Sequence, residues 1–270
     1  MNNVIISLGC SFLAGVGNWH ERTLRKWKQN KANDDELHKN SYNNFLNYSI
    51  GTQLARNINF DEHHNFAIGG SSIKHQLHLF YRRYKAETFK DKNVLFYLGI
   101  TYPHRNCTFI NDKLRTIHLE EERQGEIYNK YYSELSEERI LKDVIQNQLV
   151  YIESIRNLCK ANNWHLILHP MMSDKTYYYK EQLIDINSNP KEIWVDKWLP
   201  SMEHNKFMAH CGHPNIDGYK IWADKLVKYI TDQGVLDIPH NFNTKTIYCK
   251  DYNEGTELKA KRNDFRTSPI

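Results

Sequence analysis

The sequence predicts an α/β fold: a three-layer sandwich with helices on both faces of a central parallel sheet. Apolar runs at residues 4–8 and 94–99 have the length and composition of strands buried on both faces. Between such runs lie longer stretches whose apolar residues recur at helical spacing. The two kinds of segment alternate along the chain, and strands alternating with helices are the pattern of a parallel sheet covered by crossover helices.

Residues 4–8 are rich in β-branched side chains and end at Gly9, which reads as a first strand followed by a turn. Residues 18–40 are crowded with Lys, Arg, Asn and Glu and lack apolar periodicity, so they read as an inserted loop or a poorly packed exposed helix. Phe45, Tyr48, Ile50, Leu54, Ala55 and Ile58 then recur at helical spacing. Residues 65–70 look like a short strand entering a glycine turn, and a helix is expected over 72–89. Residues 94–99 are the clearest strand and are expected at the centre of the sheet. A long helix is expected over 126–162, with Ile140, Val144, Ile145, Leu149, Ile152, Ile155 and Leu158 as its apolar stripe. Residues 164–168 read as a strand ended by His169-Pro170, and residues 214–230 as a helix burying Tyr219, Trp222, Leu226 and Ile230. Beyond Gly234 the pattern fades apart from a hint of strand at 246–249. The expected organisation is therefore a domain over residues 1–233 and a C-terminal extension over 234–270.

A length of 270 residues is near the upper end of what one core supports. Apolar residues make up 40% of the chain and charged residues 25%, as in ordinary globular proteins. The low mean hydropathy of -0.72 is assigned to the insertion and the tail. A net charge of +4, from 36 basic and 32 acidic residues, is spread along the chain without a basic block, which argues against a nucleic-acid partner. The cysteines number 5, an odd count without a CxxC pair, so neither a disulfide framework nor a cysteine-based zinc site is expected. The first residues lack the basic and apolar regions of a signal peptide, and no segment has the length and apolarity of a membrane span. The expectation is a cytoplasmic protein in a reducing compartment with no membrane partner.

Three blocks carry candidate chemistry. Gly9-Cys10-Ser11-Phe12-Leu13-Ala14-Gly15 sets a serine on a tight turn after the first strand, at the carboxyl edge where open α/β sheets place their sites. Ser11 there is either an exposed nucleophile or a cap for the helix that follows. Asn65-x-Ala67-x-x-Gly70-x-Ser72 brings a glycine whose N–H suits a developing oxyanion, although glycine is also the ordinary solution for a turn. His210-Cys211-Gly212-His213-Pro214-Asn215-x-x-Gly218-Tyr219 puts a histidine just before the last helix, where it suits a general base.

In this order the blocks resemble the SGNH (GDSL-like) hydrolase family, whose members carry Gly-x-Ser near the N-terminus, a glycine block after the second strand and a late Asp-x-x-His-Pro. The resemblance covers residues 5–15, 65–72 and 210–222 and implies the family's flavodoxin-like architecture. It implies Ser11 as nucleophile, His213 as base, and the N–H groups of Ser11 and Gly70 as oxyanion donors. The implied reaction is two-step hydrolysis of a small acyl ester, acetyl on a carbohydrate among the candidates, with no cofactor and no metal. The Gly-Cys-Ser-Phe block also resembles hydrolase-like proteins encoded by bacteriophages, which would make the protein virion-associated.

The chain departs from the family pattern at three places. Where the family usually has Gly-x-Asn-Asp, this chain reads Gly99-Ile100-Thr101-Tyr102, which leaves the Thr101 hydroxyl as the side-chain oxyanion donor. His210 stands where the family's aspartate would orient the base, so Asp174, Asp196, Asp217 or a backbone carbonyl must orient His213. Cys10 stands where many relatives have aspartate and is expected to be buried and inert. Tyr102, His104 and Arg105 follow the central strand on an expected loop and are candidates for substrate binding. Two rival readings remain: a binding or structural module with a decayed site, and a metal site drawn from His169, His204, His210, Cys211 and His213.

Overall fold

The computed structural model describes residues 2–15, 49–101, 105–110, 113–118, 137–171, 191–195, 213–234 and 248–251. The polar insertion at 18–40 and the first part of the helix expected over 126–162 lie outside them. Strand β1 (Asn3–Leu8) leads into a short helix α1 (Ser11–Ala14). Helix α2 (Ile50–Asn57), strand β2 (Glu62–Asn65), helix α3 (Ile73–Arg83), the single turn α4 (Ala86–Phe89) and strand β3 (Asn93–Ile100) follow. Strands β4 (Arg105–Ile110) and β5 (Lys113–His118) precede helix α5 (Glu137–Ala161), strand β6 (His165–Pro170), strand β7 (Glu192–Trp194), helix α6 (Ile216–Asp232) and strand β8 (Tyr248–Asp251).

Six strands form one sheet in the order β7-β6-β3-β1-β2-β8, and every pairing in it is parallel. Without β8 the order is that of a flavodoxin-like sheet, which starts at its centre and winds outward in both directions. Side chains alternate across each strand. Ile5, Leu95, Tyr97 and Ile167 therefore pack on one face with Leu13, Leu54, Trp222 and Leu226 from α1, α2 and α6. Val4, Ile6, Phe96 and Leu166 pack on the other with Leu77, Phe80, Phe89 and Ile152 from α3, α4 and α5. The expected three layers are present, and β3 is an interior strand between β1 and β6.

Several boundaries differ from expectation for physical reasons. The second strand is Glu62–Asn65 rather than 65–70, because both of its histidines find buried partners. His63 enters a hydrogen-bond network under α2, while His64 meets Glu62 at 2.9 Å and the edge of Phe89 at 4.9 Å between ring centroids. The helix expected over 72–89 breaks at Tyr84, whose backbone turns extended and whose ring stacks on Phe89 at 5.7 Å. The last helix begins at Ile216 rather than 214, capped by Asn215, whose Oδ1 accepts the Gly218 N–H at 2.9 Å. Residues 105–110 and 113–118 form a separate antiparallel pair where a loop was expected to carry Arg105. Residues 248–251 add a sixth strand beside β2, beginning two residues after the start of the strand hint at 246–249 and overlapping it. Among the described residues no helix is long and apolar enough to cross a membrane.

Candidate active site

The carboxyl ends of the parallel strands share one edge, and the winding direction reverses between β1 and β3. In open α/β sheets the crevice outside such a reversal is where ligands bind. Leu8 pairs with Leu98 across it, so Ser11 and Thr101 each lie three residues beyond the same rung. On the other side of β1, backbone bonds continue past the paired strands, from Phe66 N–H to Ser7 at 2.8 Å and from Ile68 N–H to Gly9 at 2.9 Å. These bonds lay the Gly9-Cys10-Ser11 turn alongside the segment that leads to Gly70.

Ser11 is the first residue of α1, a turn closed by the bond from Ala14 N–H to the Cys10 carbonyl at 3.0 Å. The seat of α1 is Leu13. A Cβ on Gly9 would meet Leu13 at 2.9 Å, and one on Gly99 would meet Leu13 at 2.6 Å and Met171 at 2.7 Å. Glycine at both positions therefore lets the turn settle against the ends of β3 and β6. Gly70 is required for a different reason: its φ of +72° is left-handed, while a Cβ there would meet nothing within 4 Å. Cys10 is fully buried, as expected of an inert thiol.

Thr101 is the first residue past β3 and is fully buried. Its Oγ1 accepts a hydrogen bond from Arg105 Nη1 at 3.0 Å, and the Arg105 carbonyl accepts one from Gln148 Nε2 on α5 at 3.0 Å. No sequence signal announced this contact, since it depends on where the chain re-enters at β4. Tyr102 and His104 lie outside the described residues, as do the Ser11 side chain, Asp174, Asp196, His204, His210 and Cys211. His213 is half-buried and precedes α6 by three residues. The ring of Trp222 meets His169 at the carboxyl end of β6, 5.5 Å between centroids, which brings the amino-terminal half of α6 to the same sheet edge. Asp217 is exposed and faces Lys220 at 3.7 Å.

His169 belongs to an aromatic stack. Its Nδ1 is 2.7 Å from the Tyr97 hydroxyl, and its ring lies nearly parallel to Tyr97. Burial raises the Tyr97 phenol well above its ordinary value, with Cys10 adding to the effect, so the phenol stays protonated. Among the described residues no group of three His, Cys, Asp or Glu side chains is arranged to hold a metal ion.

No family model matches the chain, and no curated protein matches it. Among solved structures, an acetyl xylan esterase from the rumen bacterium Butyrivibrio proteoclasticus is similar, with a TM-score of 0.50 at 16% identity over 87% of this chain. This chain covers 65% of that one, just under two thirds of its length. A Bacteroides fragilis protein proposed to be an acylhydrolase matches with a TM-score of 0.41 at 13% identity, over 87% of this chain and 88% of that chain. The likeness to the esterase is one of fold, and it agrees with the parallel sheet and its flanking helices described above.

A second constellation lies under α2, on the same face of the sheet. His63 Nε2 is 2.7 Å from Ser7 Oγ and His63 Nδ1 is 2.9 Å from Thr52 Oγ1. Ser49 Oγ lies 3.1 Å from Thr52 Oγ1, and Asn65 Oδ1 accepts from Ser7 at 3.5 Å and from the Ala67 N–H at 3.0 Å. Although it contains a serine and a histidine in contact, both side chains are fully buried in the core. Its chemistry is structural: it pairs the Ser7, Ser49, Thr52 and His63 side chains and Asn65 Oδ1 while they are shut away from water, although Asn65 Nδ2 has no partner among the described residues.

Proposed function

We propose that the protein is an ester hydrolase that acts through Ser11 as nucleophile and His213 as general base, on a small acyl ester such as an acetylated carbohydrate. The observation that carries this reading is the reversal of strand order between β1 and β3, with the Ser11 turn leaving one strand and Thr101 the other. The left-handed Gly70 beside the Ser11 turn supports the same reading, because the open space around its half-buried backbone suits an oxyanion donor. The fold likeness to an acetyl xylan esterase is consistent with it.

In the reaction, His213 takes the Ser11 proton as Ser11 Oγ adds to the acyl carbon. The protonated His213 then returns that proton to the departing alcohol. Water repeats the cycle on the acyl-enzyme and releases the acid. The N–H groups of Ser11 and Gly70 meet the oxyanion of each tetrahedral intermediate.

The test is reaction with a fluorophosphonate probe together with turnover of an acetyl ester. Wild type is expected to be labelled, and Ser11→Ala to lose both label and turnover; His213→Ala should lower turnover by up to about 10⁶-fold. Turnover that survives Ser11→Ala would overturn the mechanism. The rival reading, a binding module with a decayed site, is favoured by His210 in the place of the family's acid. A folded wild type that never takes the label would select it.

A further inference from the structure

We propose that Arg105 and Thr101 form one unit, a hydroxyl polarised by a guanidinium, that serves the oxyanion in place of an asparagine amide. This inference rests on the ester-hydrolase reading and deepens it by giving Thr101 a mechanism and Arg105 a positioning role.

The direction of the contact is fixed by chemistry. A guanidinium carries only donors, so across the 3.0 Å contact Arg105 Nη1 donates and Thr101 Oγ1 accepts. The hydroxyl's own hydrogen must therefore point elsewhere. Thr101 is fully buried, and among the described residues that hydrogen has no acceptor. An oxygen placed at the strand end that faces the reversal in winding could take this hydrogen.

Charge strengthens the donor. Accepting from a cation draws electron density from Oγ1 and makes its O–H a better donor, most of all toward an oxygen that is becoming negative. A threonine hydroxyl reaches less far than an asparagine amide, and the cation behind it offsets that loss.

The cation is held by rigid elements. Arg105 opens β4, pairs with His118 of β5, and its carbonyl is bound by Gln148, a buried residue of α5. Its position relative to Thr101 is thus set by the β4–β5 ladder and by α5 together. During the reaction Thr101 lends a hydrogen bond and transfers no proton: the carbonyl π pair moves onto oxygen as Ser11 adds, then returns as the alcohol leaves. Arg105 keeps its charge throughout.

The experiment measures kcat and KM on an acetyl ester for Thr101→Val, Arg105→Met, their double variant, and Thr101→Asn with and without Arg105→Met. Thr101→Val is expected to lower kcat by about 10²-fold, the usual effect of losing one oxyanion donor, with KM changed by less than about threefold. Arg105→Met should lower kcat in wild type but add nothing to Thr101→Val, because its effect passes through the hydroxyl. Thr101→Asn should retain turnover and become insensitive to Arg105→Met, which a merely structural arginine would not produce. Should Thr101→Val fail to fold, Thr101→Ser against Thr101→Ala reads the same hydroxyl. A wild-type kcat in the hydroxyl-free variant, or an Arg105→Met loss that is undiminished without the hydroxyl, overturns the proposal while Ser11 labelling stands. Absence of Ser11 labelling in folded wild type overturns the ester-hydrolase reading itself.

Discussion

Burial drives the His63 imidazole down to about 3, and the neighbouring His64 pushes in the same direction. The ring is therefore neutral in the fold at any pH where an unburied histidine titrates, near 6.5. Because the folded value is the depressed one, the unfolded chain binds the extra proton first. The stability that neutral His63 contributes is whole above about pH 6.5 and is lost progressively as pH falls toward 3, on the order of 5 kcal/mol in all. Burial and the nearby Lys191 lower His165 to about 4, which adds to the loss over the same range. Urea midpoints measured from pH 7 to pH 4 should fall steadily; a flat profile would mean that His63 is not held as described. Gly51 gives an independent check. A Cβ there would collide with the His63 ring, which Ser7 and Thr52 hold from both sides. Gly51→Ala should lower stability by about 1–3 kcal/mol in the same assay. An unchanged midpoint would show that the ring has room to move.

Among the elements, α5 and β7 are joined by a cluster that sequence periodicity cannot report. Arg156 Nε meets Glu192 Oε2 at 2.8 Å with both side chains only 5% exposed, and Arg156 Nη1 meets Glu153 at 2.8 Å. Burial works against the guanidinium charge, but the two carboxylates outweigh it and raise Arg156 above its ordinary value. Trp194 Nε1 donates to the other Glu192 oxygen at 2.8 Å, so β7 is pinned through its own first and last residues. Arg156→Met would leave the Glu192 carboxylate buried without its cation and should cost about 3–5 kcal/mol in chemical denaturation. Adding Glu192→Gln should recover part of that loss, and failure to recover any would show that the pairing is incidental. The same elements show what was legible. β1, β3 and β6 could be read because strands buried on both faces are continuous apolar runs, and α6 because Tyr219, Trp222, Leu226 and Ile230 fall on one stripe. β2 could not be placed correctly, since Glu-His-His-Asn looks like a loop until His63 and His64 are given their partners. The β4–β5 pair was missed because neither strand covers the main sheet, so neither shows the pattern of one.

For the molecule as a whole, the sequence made the placement of two turns legible and left the mechanism open. Apolar runs ending in glycine located the Ser11 turn and the Gly70 turn, and backbone bonds set the two segments alongside each other. The partner of Thr101 was not legible, because Arg105 is four residues away along the chain and returns to Thr101 only through the start of β4. The sheet also has an edge that depends on β8, which covers β2 from Glu62 to Asn65. Removing residues 248–270 would leave the backbone groups of β2 open to pairing with another chain. Such a variant is expected to self-associate in light scattering, and one that stays as dispersed as the full chain would show that β8 does not protect the edge. The order of strands has a further consequence, for the way the protein is made. β1 comes first, β2 and β3 settle on either side of it, β6 and β7 extend one flank, and β8 closes the other. No strand has to slip between two that are already paired. The sheet can therefore grow outward as the chain leaves the ribosome, each new strand meeting an open border and briefly becoming the border itself.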